Sequence, residues 1–278
     1  MPAAKANRKL NISLREPVKA APSPAARVAT AAGKSLLRLV RSLGREQAAI
    51  WSFPRILWQG KYRLPTALFL LVTGLFFMID PRDPSYFRNT HAFSAFNTVV
   101  SGEHAAVAMW AVMISALVIG LLRRDRYLTR TFLFAFEAIL SSEIFTQVLK
   151  GIDRRLRPED ALNCRYFFQT WFQDKGAWYG GHGSFPSGHM IAAISIATVF
   201  AVRYRHHRWA PWTAYGAAAI IGFSRITLLS HFPSDVFAAA VLGYAIARYA
   251  VLQDAPQPAL ERVGSYARSE DARVEALS

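Results

Sequence analysis

The chain has 278 residues, 53% of them hydrophobic, a single cysteine and a formal net charge of +15. One thiol, Cys164, excludes an intramolecular disulfide framework, a cysteine-rich zinc site and a dithiol redox pair. An evenly spread charge would suggest nucleic acid, but residues 1–63 hold 13 Lys/Arg against 2 Asp/Glu while the other 215 hold 20 against 16.

Residues 1–32 are rich in Ala, Pro and Lys/Arg with few large apolar side chains, a composition expected to be disordered. Over residues 33–63 the pattern changes. Leu36, Leu37, Val40, Leu43, Ile50 and Trp51 recur at helical spacing with Lys34, Arg38, Arg41 and Arg45 between them. This predicts a basic amphipathic helix lying on an anionic membrane surface, with a soluble helix docked on a core as the alternative. A cleavable signal peptide is not expected, because the first long apolar run starts after residue 63.

Residues 64–252 contain six apolar stretches, about 64–79, 105–122, 131–149, 189–202, 209–224 and 236–252. Several fall short of the ~20 residues an upright bilayer helix needs. Stretch 105–122, however, carries no charge, and Arg clusters occupy the gaps between stretches. The expected fold is all-α: a polytopic membrane protein with a six-helix transmembrane bundle, preceded by the interfacial helix. Six short buried helices of a soluble protein are the competing reading. With the N-terminus cytoplasmic, the loops 123–130 (four Arg) and 203–208 (three Arg) also fall inside, as the positive-inside rule requires. The polar tail 253–278, expected to be disordered, ends on the same side. The expected location is the cytoplasmic membrane. The outer loop 150–188, with six Lys/Arg, breaks the charge rule and asks for another explanation.

Three polar groups of residues emerge on one side of the membrane when the spans are counted, whichever orientation holds. They are Lys150 through Arg157-Pro158, then Pro186-Ser187-Gly188-His189, then Ser224-Arg225 with His231 and Asp235. Lys150, Arg157 and Arg225 suit a dianionic phosphate, two as forked donors and one as a point charge. His189 and His231 fall at expected helix N-termini, where free N–H groups favour an anion. Ser187 can cap or donate, and Gly188 lets backbone approach a phosphate. His231 and Asp235 are four apart, so a carboxylate bonded to one imidazole nitrogen would leave the other free to attack. His189 can then protonate the leaving oxygen. The set is sufficient for phosphoryl transfer without a metal or cofactor. Taken singly, each residue has a plainer role: a cap, a snorkelling anchor, or a lipid-headgroup contact for Arg154, Arg155 and Arg157.

These residues resemble the signature of the type 2 phosphatidic acid phosphatase (PAP2, lipid phosphate phosphatase) superfamily, K-x6-RP, PSGH and SR-x5-H-x3-D. Every position is filled in order, and the resemblance covers about residues 131–252. It implies that His231 is the nucleophile forming a phosphohistidine and that Asp235 orients it. His189 would serve as acid and then base. Lys150, Arg157, Ser187, Gly188 and Arg225 would hold the phosphate, with no metal. The implied activity is hydrolysis of a lipid phosphate monoester or diphosphate, such as phosphatidate, phosphatidylglycerol phosphate, a polyprenyl diphosphate or a lipid A phosphate. Alternatives are transfer to a lipid acceptor, vanadium-haloperoxidase-like chemistry on the same residues, or a transporter or binding protein without catalysis.

Some features lie outside the motifs. Glu143, Gln147 and Lys150 share a helical face, making Glu143 a candidate partner of the site; a neutral glutamic acid bonded to a neighbouring helix is the other reading, and it applies to Glu137 as well. Tyr166, Phe167, Phe168, Trp171, Phe172, Trp178 and Tyr179 suit an interfacial cap or ordinary loop packing. Cys164 and His182 receive no role, a His182–His189–His231 metal site being the rival use of the histidines.

Overall fold

A computed structural model of the chain describes residues 24–80, 83–161, 167–173 and 183–253. Among these residues every regular element is helical. In chain order they are α1 (Pro24–Trp51), α2 (Phe53–Trp58), α3 (Arg63–Ile79), α4 (Asp83–Asn89), α5 (Ser94–Val99), α6 (Gly102–Leu122) and α7 (Arg126–Asp153). A short 3-10 turn (Phe167–Thr170) precedes α8 (Gly188–Arg203), α9 (Trp209–Thr227) and α10 (Pro233–Ala245), which runs on as a π-helical turn, Ile246–Val251.

The chain divides into two contact units between Val40 and Arg41. In the first, α1 begins at Pro24, inside the 1–32 segment whose composition reads as disordered. The alanines at 25, 26, 29, 31 and 32 account for this, since alanine is the best helix former. Leu36, Leu37 and Val40 are exposed on it. Residues 1–23 and the tail from residue 254 lie outside the described residues.

The second unit is organised by capping and by one central helix. Asp125 starts α7 by accepting from the N–H groups of Tyr127 (2.8 Å) and Leu128 (3.0 Å). Ser101 caps α6 through the His104 N–H, and Ser187 caps α8 through that of Met190. Pro233 opens α10, with Asp235 reaching back to the Phe232 N–H at 2.9 Å. Helix α8 is apolar on every side and buried along most of its length, and it packs against α7, α9 and α10. Small residues make the close approaches. A Cβ on Gly243 of α10 would lie 2.4 Å from Ile194 Cγ2 and 2.7 Å from the Ile191 carbonyl oxygen of α8. Ser142 of α7 and Ser195 of α8 share a hydrogen bond of 2.9 Å.

Large apolar side chains instead cover the outside, among them Leu70, Leu71 and Met78 on α3 and Val107, Val112 and Ile114 on α6. Small buried contacts and an apolar periphery are the construction of a multi-pass membrane protein. Three helices are long and apolar enough to cross a bilayer among the described residues: Gly102–Leu122, Arg126–Asp153 and Pro233–Val251. A fourth crossing results if Leu36–Trp58 and Arg63–Ile79, bent by 103° at their junction, form one broken span. All six expected segments are helices. Yet the count of six spans is not reached on length and composition: α8 is a 16-residue helix, about 24 Å at 1.5 Å per residue, α3 counts only within the bent pair, and α9 is not among the candidates.

Candidate active site

Helix α7 delivers the first motif. Lys150 lies in its last turn, half-buried, and the helix stops at Arg154, which adopts a left-handed conformation (φ 42°). The reversal sends Arg155 inward and lets the chain return past Lys150 at Gly183, where a Cβ would sit 3.3 Å from Lys150 Cβ. Arg157 is partly exposed beside Glu159 (3.5 Å), and the Pro158 carbonyl accepts from Arg88 at 2.9 Å.

The second motif forms the start of α8. The space over Gly188 is occupied by charge. A Cβ there would lie 3.9 Å from Lys150 Nζ and 4.0 Å from Glu143 Oε2. Glu143 also accepts from Gln147, so the helical face carrying Glu143, Gln147 and Lys150 does lead into the site. His189 Nε2 is 3.1 Å from the Gly102 carbonyl oxygen. A backbone carbonyl only accepts, so Nε2 carries the hydrogen and Nδ1 is the nitrogen left to exchange a proton.

The third motif spans the end of α9 and the start of α10. Arg225 is 1% exposed, bonded to the Val100 carbonyl (2.9 Å) and to Ser224 Oγ (2.8 Å) through Nη2. His231, 3% exposed, has Nδ1 2.6 Å from the Ser184 carbonyl oxygen. By the same argument Nδ1 carries the hydrogen and Nε2 keeps its lone pair. The expected His231–Asp235 hydrogen bond is not the one formed: Asp235 Oδ2 stands 3.9 Å from Nδ1. Instead that oxygen accepts from Ser184 Oγ and from the Phe232 N–H. His231 lies just before α10, which starts at Pro233, so the pair shares no helical face, and Ser184 bonds to both residues instead.

The three motifs converge. Lys150, Arg157 and His189 act electrostatically on His231, and Arg225, Lys150 and Arg157 on His189. Burial, followed by the Lys150 and Arg157 charges, holds the His231 imidazole well below the usual histidine range. It is therefore kept neutral, as a nucleophile must be.

Two functional candidates escaped the sequence reading. Arg155, set down there only as part of a headgroup cluster, is 1% exposed and bridges Asp80 (2.6 Å) and Asp235. Its guanidinium also lies over the Phe232 (4.2 Å) and Trp171 (4.8 Å) rings. Asp80, at the end of α3, further accepts from the Ser234 N–H (3.2 Å) and hydroxyl. Removing one member of such a buried pair costs about 3–5 kcal/mol. The one available signal was Arg155's position two residues before Arg157; nothing near Asp80 in the sequence marks it.

Glu137 accepts from Ser42 Oγ at 3.1 Å, away from the motifs, as a glutamic acid bonded to a neighbouring helix would. Trp171 packs inward on Phe77 and Phe185, whereas Phe172 is exposed. Cys164, Tyr166, Trp178, Tyr179 and His182 lie outside the described residues. Among the described residues there is no group of three or more His, Cys, Asp or Glu side chains arranged to hold a metal ion.

Residues 131–257 match the family described as the PAP2 superfamily. The match covers less than half of the chain, and over those residues the chain is similar to that superfamily. All three motifs fall inside the PAP2 segment, whereas Asp80, Val100 and Gly102 come from outside it. The chain is 30% identical over 111 residues to a lipid A 1-phosphatase of Rhizobium etli, covering 40% of this chain and 44% of that protein. It is 26% identical over 145 residues to a lipid A 4'-phosphatase of Porphyromonas gingivalis, covering 50% and 58%. The chain thus spans about half the length of the curated relatives it matches. A transmembrane PAP2 type phosphatidylglycerolphosphate phosphatase from Bacillus subtilis is a structural neighbour with a TM-score of 0.44 at 16% identity, covering 66% of this chain and 91% of that one.

Proposed function

We propose that the protein is a membrane lipid phosphate phosphatase that works through a phosphohistidine and needs no metal. The observation that carries this reading is the fixed tautomer of His231: buried, neutral, with Nδ1–H on the Ser184 carbonyl, Nε2 free, and the Lys150 and Arg157 charges acting on the ring. Nε2 attacks phosphorus while the bond to the lipid oxygen breaks, and Nδ1 of a protonated His189 gives that oxygen its proton. Lys150, Arg157 and Arg225, with the N–H groups at the start of α8, take up the negative charge of the phosphoryl oxygens. Neutral His189 then accepts a proton from the water that attacks the phosphohistidine, releasing inorganic phosphate and restoring both histidines. Asp235 holds Ser184, and so contributes to the orientation of His231.

Among phosphatidate, phosphatidylglycerol phosphate, polyprenyl diphosphate and lipid A phosphates, the reading puts lipid A first, because the two relatives described above are lipid A phosphatases. In this reading all six apolar helices cross the cytoplasmic membrane, both termini are cytoplasmic and the site opens on the outer face. The basic segment 33–63 lies on the anionic inner surface. The purified protein is expected to release phosphate from lipid A in the presence of a chelator and to be inhibited by vanadate. His231→Ala should reduce release by about a thousandfold or more. Undiminished release by that variant would remove His231 as the nucleophile.

A further inference from the structure

Between the end of α3 and the nucleophile runs an unbroken line of buried polar contacts. Asp80 Oδ2 accepts from Arg155 Nη2 at 2.6 Å, and Arg155 Nη1 donates to Asp235 Oδ1. Asp235 Oδ2 accepts from Ser184 Oγ, while the Ser184 N–H donates to the Arg155 carbonyl at 2.8 Å. The Ser184 carbonyl then takes the His231 Nδ1–H at 2.6 Å. No residue in this line is more than 3% exposed. Ser234 closes it sideways, accepting from Arg155 Nη1 at 2.7 Å and donating to Asp80.

We propose that Asp80 and Arg155 are positioning residues for His231, acting through Asp235 and Ser184 to hold its imidazole with Nε2 free. Three points lead there. Asp235 stands 3.9 Å from Nδ1, so its influence on the ring passes through Ser184. Ser184 is placed twice by the same pair of residues, its hydroxyl by Asp235 and its N–H by Arg155. Arg155 in turn is fixed by Asp80, which shares the guanidinium fork with Asp235 and leaves neither carboxylate uncompensated. A strut with no bearing on the reaction would not need to end on the acceptor of the nucleophile's own N–H. Asp80 reaches the site from outside residues 131–257, so the nucleophile is positioned partly by a helix that the PAP2 segment does not contain.

The proposal rests on the phosphatase reading for its kinetic readout, and a second readout is independent of activity. Full-length protein labelled with nitrogen-15 histidine is compared in detergent micelles with Asp80→Asn and Arg155→Lys, the His231 signals being assigned by their loss in His231→Gln. The wild type should show His231 as the Nδ1–H tautomer. In both variants the signals should move to a mixture of tautomers, and kcat should fall about tenfold or more, with KM and inhibition by inorganic phosphate within about twofold of wild type. Asp80→Asn preserves shape and carries the test should Arg155→Lys not fold. An unchanged His231 spectrum in a folded Asp80→Asn protein overturns the proposal. So does a loss of kcat that only tracks the folded fraction. A wild type that releases no phosphate from any of the lipids counts against the phosphatase reading, while the tautomer comparison still decides the positioning.

Discussion

At the scale of single residues, the two histidines are distinguished by which nitrogen a backbone carbonyl occupies. Ser184 takes Nδ1 of His231, and Gly102 takes Nε2 of His189. One ring therefore presents Nε2 and the other Nδ1, an assignment that residue type and spacing do not contain, since every residue has a carbonyl. For the same reason Ser184 was not legible in the sequence, although the motif residues beside it were. Asp80 was hidden by distance, lying 75 positions from Arg155 and 154 from Ser234. The protonation of His231 gives a sign that can be checked. Its folded-state pKa lies below the unfolded value near 6.5, so the unfolded chain binds the extra proton as pH falls through that value. Its contribution to stability is thus complete above about pH 6.5 and diminishes below it, down to the folded pKa. In kinetics, the acid limb of kcat/KM that reports His231 should lie below about pH 6.5, once the substrate's own phosphate ionisation is allowed for. A limb at or above 6.5 would mean that burial and the two cations fail to keep the imidazole neutral.

At the scale of elements, the site depends on how closely α10 lies against α8. Ser187 and His189 start one helix, Asp235 starts the other, and the Ser187 N–H meets the Asp235 carbonyl at 3.3 Å. Further along, Gly243 permits the approach, with the Ile191 carbonyl within 2.7 Å of where a Cβ would stand. Gly243→Ala should therefore push the helices apart and cost about 1–3 kcal/mol. In detergent this should lower the melting temperature by several degrees and reduce phosphate release with it. Gly216→Ala on α9, where a Cβ would meet nothing within 4 Å, should leave the melting temperature unchanged or slightly raise it. Equal behaviour of the two variants would show that Gly243 is not a packing requirement. The helices themselves were readable from apolar runs and caps, and their starts at Ser101, Ser187 and Pro233 agree with capping rules. Their crossing distances were not, because a glycine in an apolar run reads the same whether a neighbour touches it or not.

At the scale of the whole molecule, the proposed function divides the net charge of +15 between an orientation signal and a reaction site. In the proposed topology residues 1–63 and the loops at 123–130 and 203–208, all rich in Lys and Arg, are cytoplasmic, as the positive-inside rule expects. Lys150, Arg157 and Arg225 sit at the other end of the helices. Helix α8 measures the separation: His189 is in its first turn and Arg203 in its last. If α8 crosses the membrane, as proposed, its two ends lie at opposite faces. Two exposed positions turn this into a test of topology, Asp160 close to Arg157 and Arg205 just beyond α8. With Cys164→Ser removing the native thiol, Asp160→Cys should react with a membrane-impermeant maleimide added to the periplasmic side of intact cells. Arg205→Cys should react only after the inner membrane is permeabilised. The reverse pattern would place the site in the cytoplasm and the basic N-terminal segment outside. It would leave the chemistry of His231 untouched, but a lipid phosphate could then reach the site only from the inner leaflet.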